Sequence, residues 1–371
     1  MRKLHLLLTG LGCLLFSGLQ AADPLRVYVG AFTSEGAEGI TLCTFNQETG
    51  DLVLNRVFKG IDNPNFLRKS PDEKTLYVVS RGPRSVDPSG GAVSAYRIGG
   101  NGDLFFLNKQ LSQGEDPCYV DVSWDGKQVV VANYGGGSVA LFPVADDGAL
   151  LPASSVVRHQ GSGLHKARQS RPFAHSIRFA ADGKLIYAAD LGADKLFIYT
   201  IHAGQNMLVP SFQPFVSLPP GSGPRHFTFS ADGNFCYVVN ELASTVTVMR
   251  SHEGVMTEIQ TLSALPEGYS EVSYCADIHL SSDGKYVYAS NRGHNSIAVF
   301  LREESGKLVL QKTVSTEGNW PRNFGIDPSG KFMLVANQRS HNIAIFRMEQ
   351  GVPVFTGKEL ATPAPVCIEF L

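Results

Sequence analysis

Short runs of alternating apolar and polar residues recur along this chain on one plan. The clearest copy is Gly223–Met249, GPRHFTFSADGNFCYVVNELASTVTVM. Its pattern predicts a strand at Phe227–Phe229, a tight Ala-Asp-Gly turn, a second strand at Phe235–Val239, a break, and a third strand at Ser244–Met249. Asp-Gly between two apolar runs is a strong hairpin signal, because the turn needs residues that tolerate positive φ.

The turn returns as SPDEK (Asp72), SWDGK (Asp125), AADGK (Asp182), SADGN (Asp232), SSDGK (Asp283) and DPSGK (Ser329), at intervals of 46–57 residues. Each period adds a third strand (VALF, LFIY, VTVM, IAVF or IAIF) and a fourth after a further turn, as in GKLVLQKTV. Repeats of this length bury their apolar faces by stacking on neighbours. Four short strands per period without helical periodicity predict an all-β fold, a β-propeller. Six periods follow Gly60. The N-terminal runs LRVYVGAF, GITLCTF and GDLVLNRV lack a first strand, and the C-terminal PVCIEFL is a first strand with nothing after it. Joined, they complete a seventh four-stranded blade, so strands from both ends of the chain close the ring and remove its open sheet edges. Residues 22–371 form one domain averaging 50 residues per blade. One stretch breaks the plan: RHQGSGLHKARQSR, Arg158–Arg171, is a basic insertion without strand pattern, read as a solvated loop or a lid over the channel mouth.

The first residues, MRKLHLLLTGLGCLLFSGLQAAD, combine two cations, an apolar run from Leu4 to Phe16 and small residues at Ala21 and Ala22. That is the make-up of a secretory signal peptide over residues 1–21, and it predicts a periplasmic or secreted protein. The run is shorter than the ~20 residues a spanning helix needs, so no membrane span is expected. With Arg2 and Lys3 in the leader, the formal charge of −2 becomes −4 for the rest, with no Lys/Arg run; a nucleic-acid surface is not expected. Beyond the leader stand Cys43, Cys118, Cys236, Cys275 and Cys367, an odd number with no zinc or redox spacing. They read as small buried hydrophobes. A Cys43–Cys367 bridge is conceivable because both fall in the closing blade. No cofactor or metal is expected, and the chain is read as a monomer.

Aligning the repeats on the turn residue produces polar columns. Seven places before it stand Asn65, Cys118, His175, Arg225, Ala276 and Arg322; eight after stand Ser80, Asn133, Asp190, Asn240, Asn291 and Asn337; nine after stand Arg81, Tyr134, Leu191, Glu241, Arg292 and Gln338. In an antiparallel hairpin the start of one strand lies beside the end of the next. The columns should therefore meet at one mouth of the channel, opposite the Asp-Gly turns, with His175, Arg225, His226, Glu241, Arg292 and Arg322 converging. Several cations, one carboxylate and a His suit an anionic or polyhydroxylated small molecule. The Asn column also has a purely structural reading, as strand-end caps. His279, one strand step from Asp277 in CADIHL, is expected to make a structural hydrogen bond.

The segments GPRHFTFSADG, NELASTVTV, ADIHLSSDGKYVYASNRGHNSIAVF and PRNFGIDPSGKFMLVANQ, with YVGAFTSEGAEGI near the start, resemble the seven-bladed lactonase family of the propeller-type 6-phosphogluconolactonases. That family also includes a muconate-lactonising cyclase. The resemblance implies hydrolysis of a sugar-type lactone without a metal, with His175, Arg225, Glu241 and Arg292 as catalytic residues. Phe173 stands where the family often has a second His. Glu241 or His175 is then the base, Arg225 and Arg292 stabilise the oxyanion, and His226, Arg322, Asn240 and Gln338 bind substrate. A phosphorylated sugar is an unexpected substrate outside the cytoplasm, which favours an unphosphorylated aldonolactone. The alternatives are a non-catalytic extracytoplasmic binding or scaffold propeller and a lactonising cyclase.

Overall fold

The first hairpin of each repeat is closed by its own side chains. In the Ser230–Phe235 copy, Ser230 Oγ donates to Asp232 Oδ1 (2.5 Å), which also accepts the Asn234 amide (3.0 Å), and the Phe235 amide donates to Ser230 Oγ (3.0 Å). The following glycine is left-handed: Gly126, Gly183, Gly233, Gly284 and Gly330 all have φ between 68° and 71°. Only glycine adopts that conformation without a Cβ penalty, which is why the Gly of the motif recurs.

The computed structural model describes residues 24–81, 90–202, 204–252 and 255–371; the leader expected over 1–21 lies outside them. The described residues form seven four-stranded antiparallel sheets and one 3-10 turn, Thr33–Glu35. Blade 1 runs Pro365–Phe370, Leu25–Ala31, Gly39–Phe45, Leu52–Lys59 in that spatial order. Blades 2 to 7 follow in sequence: 64–111, 117–158, 174–217, 224–263, 274–315 and 321–361. The first strands of successive blades adjoin one another around a central channel, and Pro365–Phe370 sits between the first strands of blades 7 and 2. The seven-bladed propeller is thus closed by both ends of the chain.

Second strands such as Phe235–Asn240 and Phe332–Asn337 are buried along their whole length, because both faces pack against neighbouring blades. Fourth strands, such as Val352–Ala361, alternate toward solvent. A tyrosine on the second strand locks several blades to the next: Tyr28, Tyr77, Tyr237 and Tyr288 donate to the carbonyls of Gly102, Gly148, Gly306 and Gly351 at 2.8–3.1 Å. A buried hydroxyl must find an acceptor, so these bonds fix the angle between blades.

One irregularity recurs where it matters. In blades 2, 3, 4, 5 and 7 the register of the first strand slips at Asn65, Cys118, His175, Arg225 and Arg322. A bulge adds one unpaired residue and re-aims its side chain. The column seven places before the turn is therefore the column of bulge residues, which lets His175, Arg225 and Arg322 leave the sheet alternation and enter the channel mouth.

The Cys43–Cys367 bridge does not form; all five described cysteines are free and buried. Cys43 pairs with Val27 and Cys367 with Gly30, so the strand Leu25–Ala31 separates them, and each packs into a different core cluster. Two strand spacings amount to about 9.5 Å, beyond disulfide reach. Dithiothreitol is expected to leave the melting temperature unchanged; a reductant-dependent drop would show a bridge.

Candidate active site

Glu241 is the centre of the mouth opposite the Asp-Gly turns. It follows Asn240 at the end of the second strand of blade 5, and its amide donates to Gly223 O (2.7 Å). Its carboxylate is 4% exposed and meets three guanidinium groups: Arg292 Nη2 at 2.8 Å and Arg225 Nε at 3.1 Å from Oε2, and Arg168 Nη2 at 2.5 Å from Oε1. Burial alone would push this carboxyl up, but Arg292, Arg225 and Arg168 together outweigh it and hold it at about 2. The Arg225 Nε contact is off the hydrogen-bond axis, leaving that buried donor without an aligned acceptor. His175 Nε2 lies 4.0 Å from Glu241 Oε2. Burial first, then Arg225 and His226, hold His175 well below its ordinary value, so it is a neutral imidazole.

Above Glu241 opens a hollow of 380 Å³ whose walls include Tyr134, Arg168, His175, Glu241, Arg292, Arg322 and Gln338. Arg81 and Arg339 add further cations, and Glu35 is the second acid. Gln338 Nε2 donates to both oxygens of Glu35 at 3.0 Å, while Gln338 Oε1 has no donor. Arg322 lies over the Phe32 ring (5.3 Å to its centroid) with no ion pair among the described residues. Burial and the neighbouring Arg225, Arg292 and Arg81 all disfavour its charge, a cost that an incoming anion or dipole relieves. A larger groove, 760 Å³, lies between the outer parts of blades 1 and 2, where no ion pair joins Lys59, Asp62 and Lys109. The size of that groove does not make it the site; convergence of interacting ionisable groups does.

Most expected site residues meet: His175, Arg225, Glu241 and Arg292 interact directly, and Arg322 and Gln338 stand on the walls. Three do not line the hollow: Arg225, which is buried behind Glu241 and meets the site through that carboxylate, Asn240 and His226. Asn240 is fully buried, and its Nδ2 donates to the hydroxyls of Thr245 and Thr247 (2.9 Å each), which commits the amide to the sheet. Others in its column tie blade to blade: Asn133, Asn291 and Asn337 donate to Ser112 O, Ala264 O and Thr316 O. His226 lies beneath the hollow, bonded through Nδ1 to Asp277 Oδ1 at 2.7 Å. His279 makes the expected bond to Asp277, Nε2 to Oδ2 at 3.0 Å, although its side chain is 39% exposed.

Arg168 was not foreseen. It comes from the basic insertion, whose Gln169 is fully buried and donates to Leu191 O (2.8 Å) and Asp194 Oδ1 (2.7 Å). The Arg168 side chain, 34% exposed, then reaches across to Tyr134 Oη (3.4 Å) and Glu241. The insertion therefore lies at the mouth. Arg168→Ala removes one cation from Glu241 and is expected to raise its pKa. The acid limb of the kcat/KM profile then moves to higher pH; an unmoved limb would show that Glu241 does not feel Arg168.

Among the described residues no group of three or more His, Cys, Asp or Glu side chains is placed to hold a metal, and no helix is long and apolar enough to cross a membrane. Residues 26–370 match the family model described as lactonase, 7-bladed beta-propeller. The chain is 37% identical to a 6-phosphogluconolactonase of Bacillus subtilis, over 93% of this chain and 97% of that protein. It is 36% identical to one of Formosa agariphila, over 92% and 96%. The solved structure of a periplasmic gluconolactonase of Pseudomonas aeruginosa superposes with a TM-score of 0.88 at 34% identity, covering 94% of this chain and 99% of that one. The channel-mouth cluster thus sits in a chain that belongs to the seven-bladed β-propeller lactonase family.

Proposed function

We propose that this protein hydrolyses a sugar-type lactone to its hydroxy acid at the Glu241 cluster. The observation that carries the reading is one buried carboxylate gripped by Arg168, Arg225 and Arg292 beside a neutral His175, at the floor of an open cationic hollow. Ester hydrolysis needs a base for water and donors where oxyanion charge develops.

In the resting site Glu241 is too firmly held to be a good base. Arg168 is the most exposed of its three partners and the only one delivered by a loop. A lactone whose ring oxygens draw Arg168 away frees Oε1 and raises the basicity of the carboxylate. Water then attacks the carbonyl carbon and gives its proton to Glu241 as the C=O electron pair moves onto oxygen. Arg225 and Arg292 stabilise that charge; cleavage of the ring C–O bond follows, and the leaving oxygen takes the proton back. His175 orients the water. Arg322 and Arg81 hold the substrate's hydroxyls and later the product carboxylate.

As substrate we infer an unphosphorylated aldonolactone. The leader composition of residues 1–21 and the likeness to a periplasmic gluconolactonase support this, and both favour a location outside the cytoplasm. The test is acid release at constant pH from glucono-δ-lactone and from its 6-phosphate. Saturable hydrolysis with the larger kcat/KM on the unphosphorylated ring is expected. Preference for the phosphate ester would overturn the substrate, and no catalysed release from either would overturn the activity.

A further inference from the structure

Beneath Glu241 the channel is plugged by one residue from each first strand: Phe66, Tyr119, Ser176, His226, Asp277, Asn323 and Cys367 are all buried. Phe66 and Tyr119 stack on each other (centroids 4.0 Å apart) and meet the His226 ring edge-on at 5.9 and 5.0 Å. The imidazole is therefore held in orientation by packing, and its two nitrogens face different partners. Nδ1 lies 2.7 Å from Asp277 Oδ1, and Nε2 lies 3.3 Å from Arg225 Nη1.

We propose that Asp277 and His226 form a positioning relay that fixes the tautomer of the imidazole and thereby aims the Arg225 guanidinium at the reacting carbonyl. This rests on the lactonase reading for the role of Arg225, but its first test does not.

The relay follows from counting donors. Asp277 Oδ1 faces His226 Nδ1; Oδ2 accepts from Asn323 Nδ2 (2.5 Å), the Phe324 amide (3.3 Å) and His279 Nε2 (3.0 Å). Burial would push Asp277 up, but His279 and His226 bring it well below the usual range, so it is a carboxylate that only accepts. His226 is held at about 3, by burial first and by Arg225 second, and is therefore neutral. A neutral imidazole that donates from Nδ1 must accept at Nε2, and the N–H facing Nε2 is that of Arg225 Nη1. Nη1 also donates to Ala276 O, whose strand carries Asp277. Arg225 is thus clamped from below by His226 and Ala276 and from above by Glu241, to which it presents Nε. The titratable and charged groups around this layer are Arg225 and His175 above it, Asp277 within it, and His279, Arg178, Arg68 and Asp121 below it.

Asn323 cannot reverse its amide, because its Oδ1 accepts the Ile368 amide at 2.7 Å. In Asp277→Asn the new NH2 therefore cannot take the Oδ2 place, where Asn323 Nδ2 and the Phe324 amide already point. It must face His226, which is then forced to accept at Nδ1 and carry its proton on Nε2, against the Arg225 N–H.

The experiment has two arms. Nitrogen-15 NMR of the imidazoles in the wild-type protein at pH 7 is expected to show His226 neutral with its proton on Nδ1. A proton on Nε2, or a charged ring, would overturn the relay whether or not the protein is a lactonase. In the second arm, Asp277→Asn is expected to move the His226 proton to Nε2 and lower kcat by about 10²-fold, the scale of a small misplacement of a catalytic group, with KM little changed. A merely structural Asp277 would lower the melting temperature and leave kcat per folded molecule and the tautomer as in wild type. That result, or a variant that does not fold together with the wrong wild-type tautomer, would overturn the proposal. Wild-type protein with the expected tautomer but no lactone hydrolysis would overturn the activity and leave the relay standing.

Discussion

Glu241→Gln is expected to lose about 10²–10⁴ in kcat/KM on glucono-δ-lactone, the range that a positioned general base contributes. The same change should destabilise the fold, which separates this residue from an ordinary catalytic base. Arg225, Arg292 and Arg168 share one carboxylate, and removing its charge leaves three guanidinium groups facing one another in a water-poor floor. Breaking a buried pair of this kind costs about 3–5 kcal/mol, and Gln keeps the shape while losing the charge. The pH dependence gives a second handle on the same group. The folded value of Glu241, about 2, is below the ordinary 4.5, so its contribution to stability is fully present above the ordinary range and is lost as pH falls toward 2. The stability gap between wild type and Glu241→Gln should therefore be widest near neutrality and close on acidification. Urea denaturation at several pH values checks this, with lactone hydrolysis measured in parallel. Wild-type turnover in the variant would remove Glu241 from the chemistry, and a gap independent of pH would show that the three arginines do not depend on its charge.

The ring was legible because six of the seven blades repeat a turn of one kind: Ser230, Asp232 and Gly233 fold locally, and equivalent turns mark the other periods, with Glu73 at the glycine place in blade 2 and Ala180 at the serine place in blade 4. The channel-mouth columns were legible for the same reason, since a bulge at a fixed distance before each turn delivers His175, Arg225 and Arg322 to one place. Column membership could not say which way a side chain faces. Asn240 and Glu241 are consecutive, yet one serves the sheet and the other the hollow. Arg225 and His226 are also consecutive, and the bulge turns both into the channel at different depths. Arg168 was hidden for the opposite reason. It belongs to no column, and only the tertiary docking of Gln169 onto Leu191 and Asp194 brings it to Glu241. A basic insertion in a near-neutral chain was the available signal. Glu35 and Phe32 come from the closing blade and join the site only because the ring is shut.

Deleting residues 365–371 is expected to abolish the native fold rather than weaken it. These residues pair with Leu25–Ala31 through Val27, Tyr28, Val29, Gly30 and Ala31, and pack between the first strands of blades 7 and 2. Val366, Cys367 and Ile368 are buried there, and a fully buried Val or Ile contributes about 1.5–3 kcal/mol each. Lost with them are bonds that no other segment can replace: the Leu67 amide to Cys367 Sγ, the Lys69 amide to Glu369 Oε1, the Ile368 amide to Asn323 Oδ1, and the Arg68–Glu369 ion pair. Together with the strand ladder, these losses rival the ~5–15 kcal/mol that separates folded from unfolded domains. The truncated chain would also expose the Leu25–Ala31 edge, a template for pairing between molecules. Gel filtration and circular dichroism should find aggregated or unfolded protein. The milder Ile368→Ala should fold and lose about 2–5 kcal/mol, the usual cost of truncating a buried Ile. A truncated protein that melts like the full chain would mean that six blades hold the circle unaided. In that case Asn323, whose orientation depends on Ile368, would be free to turn, and Asp277 would lose its anchor beneath the site. Closure of the ring and the aim of Arg225 are thus joined through one hydrogen bond, from Ile368 to Asn323, and should fail together.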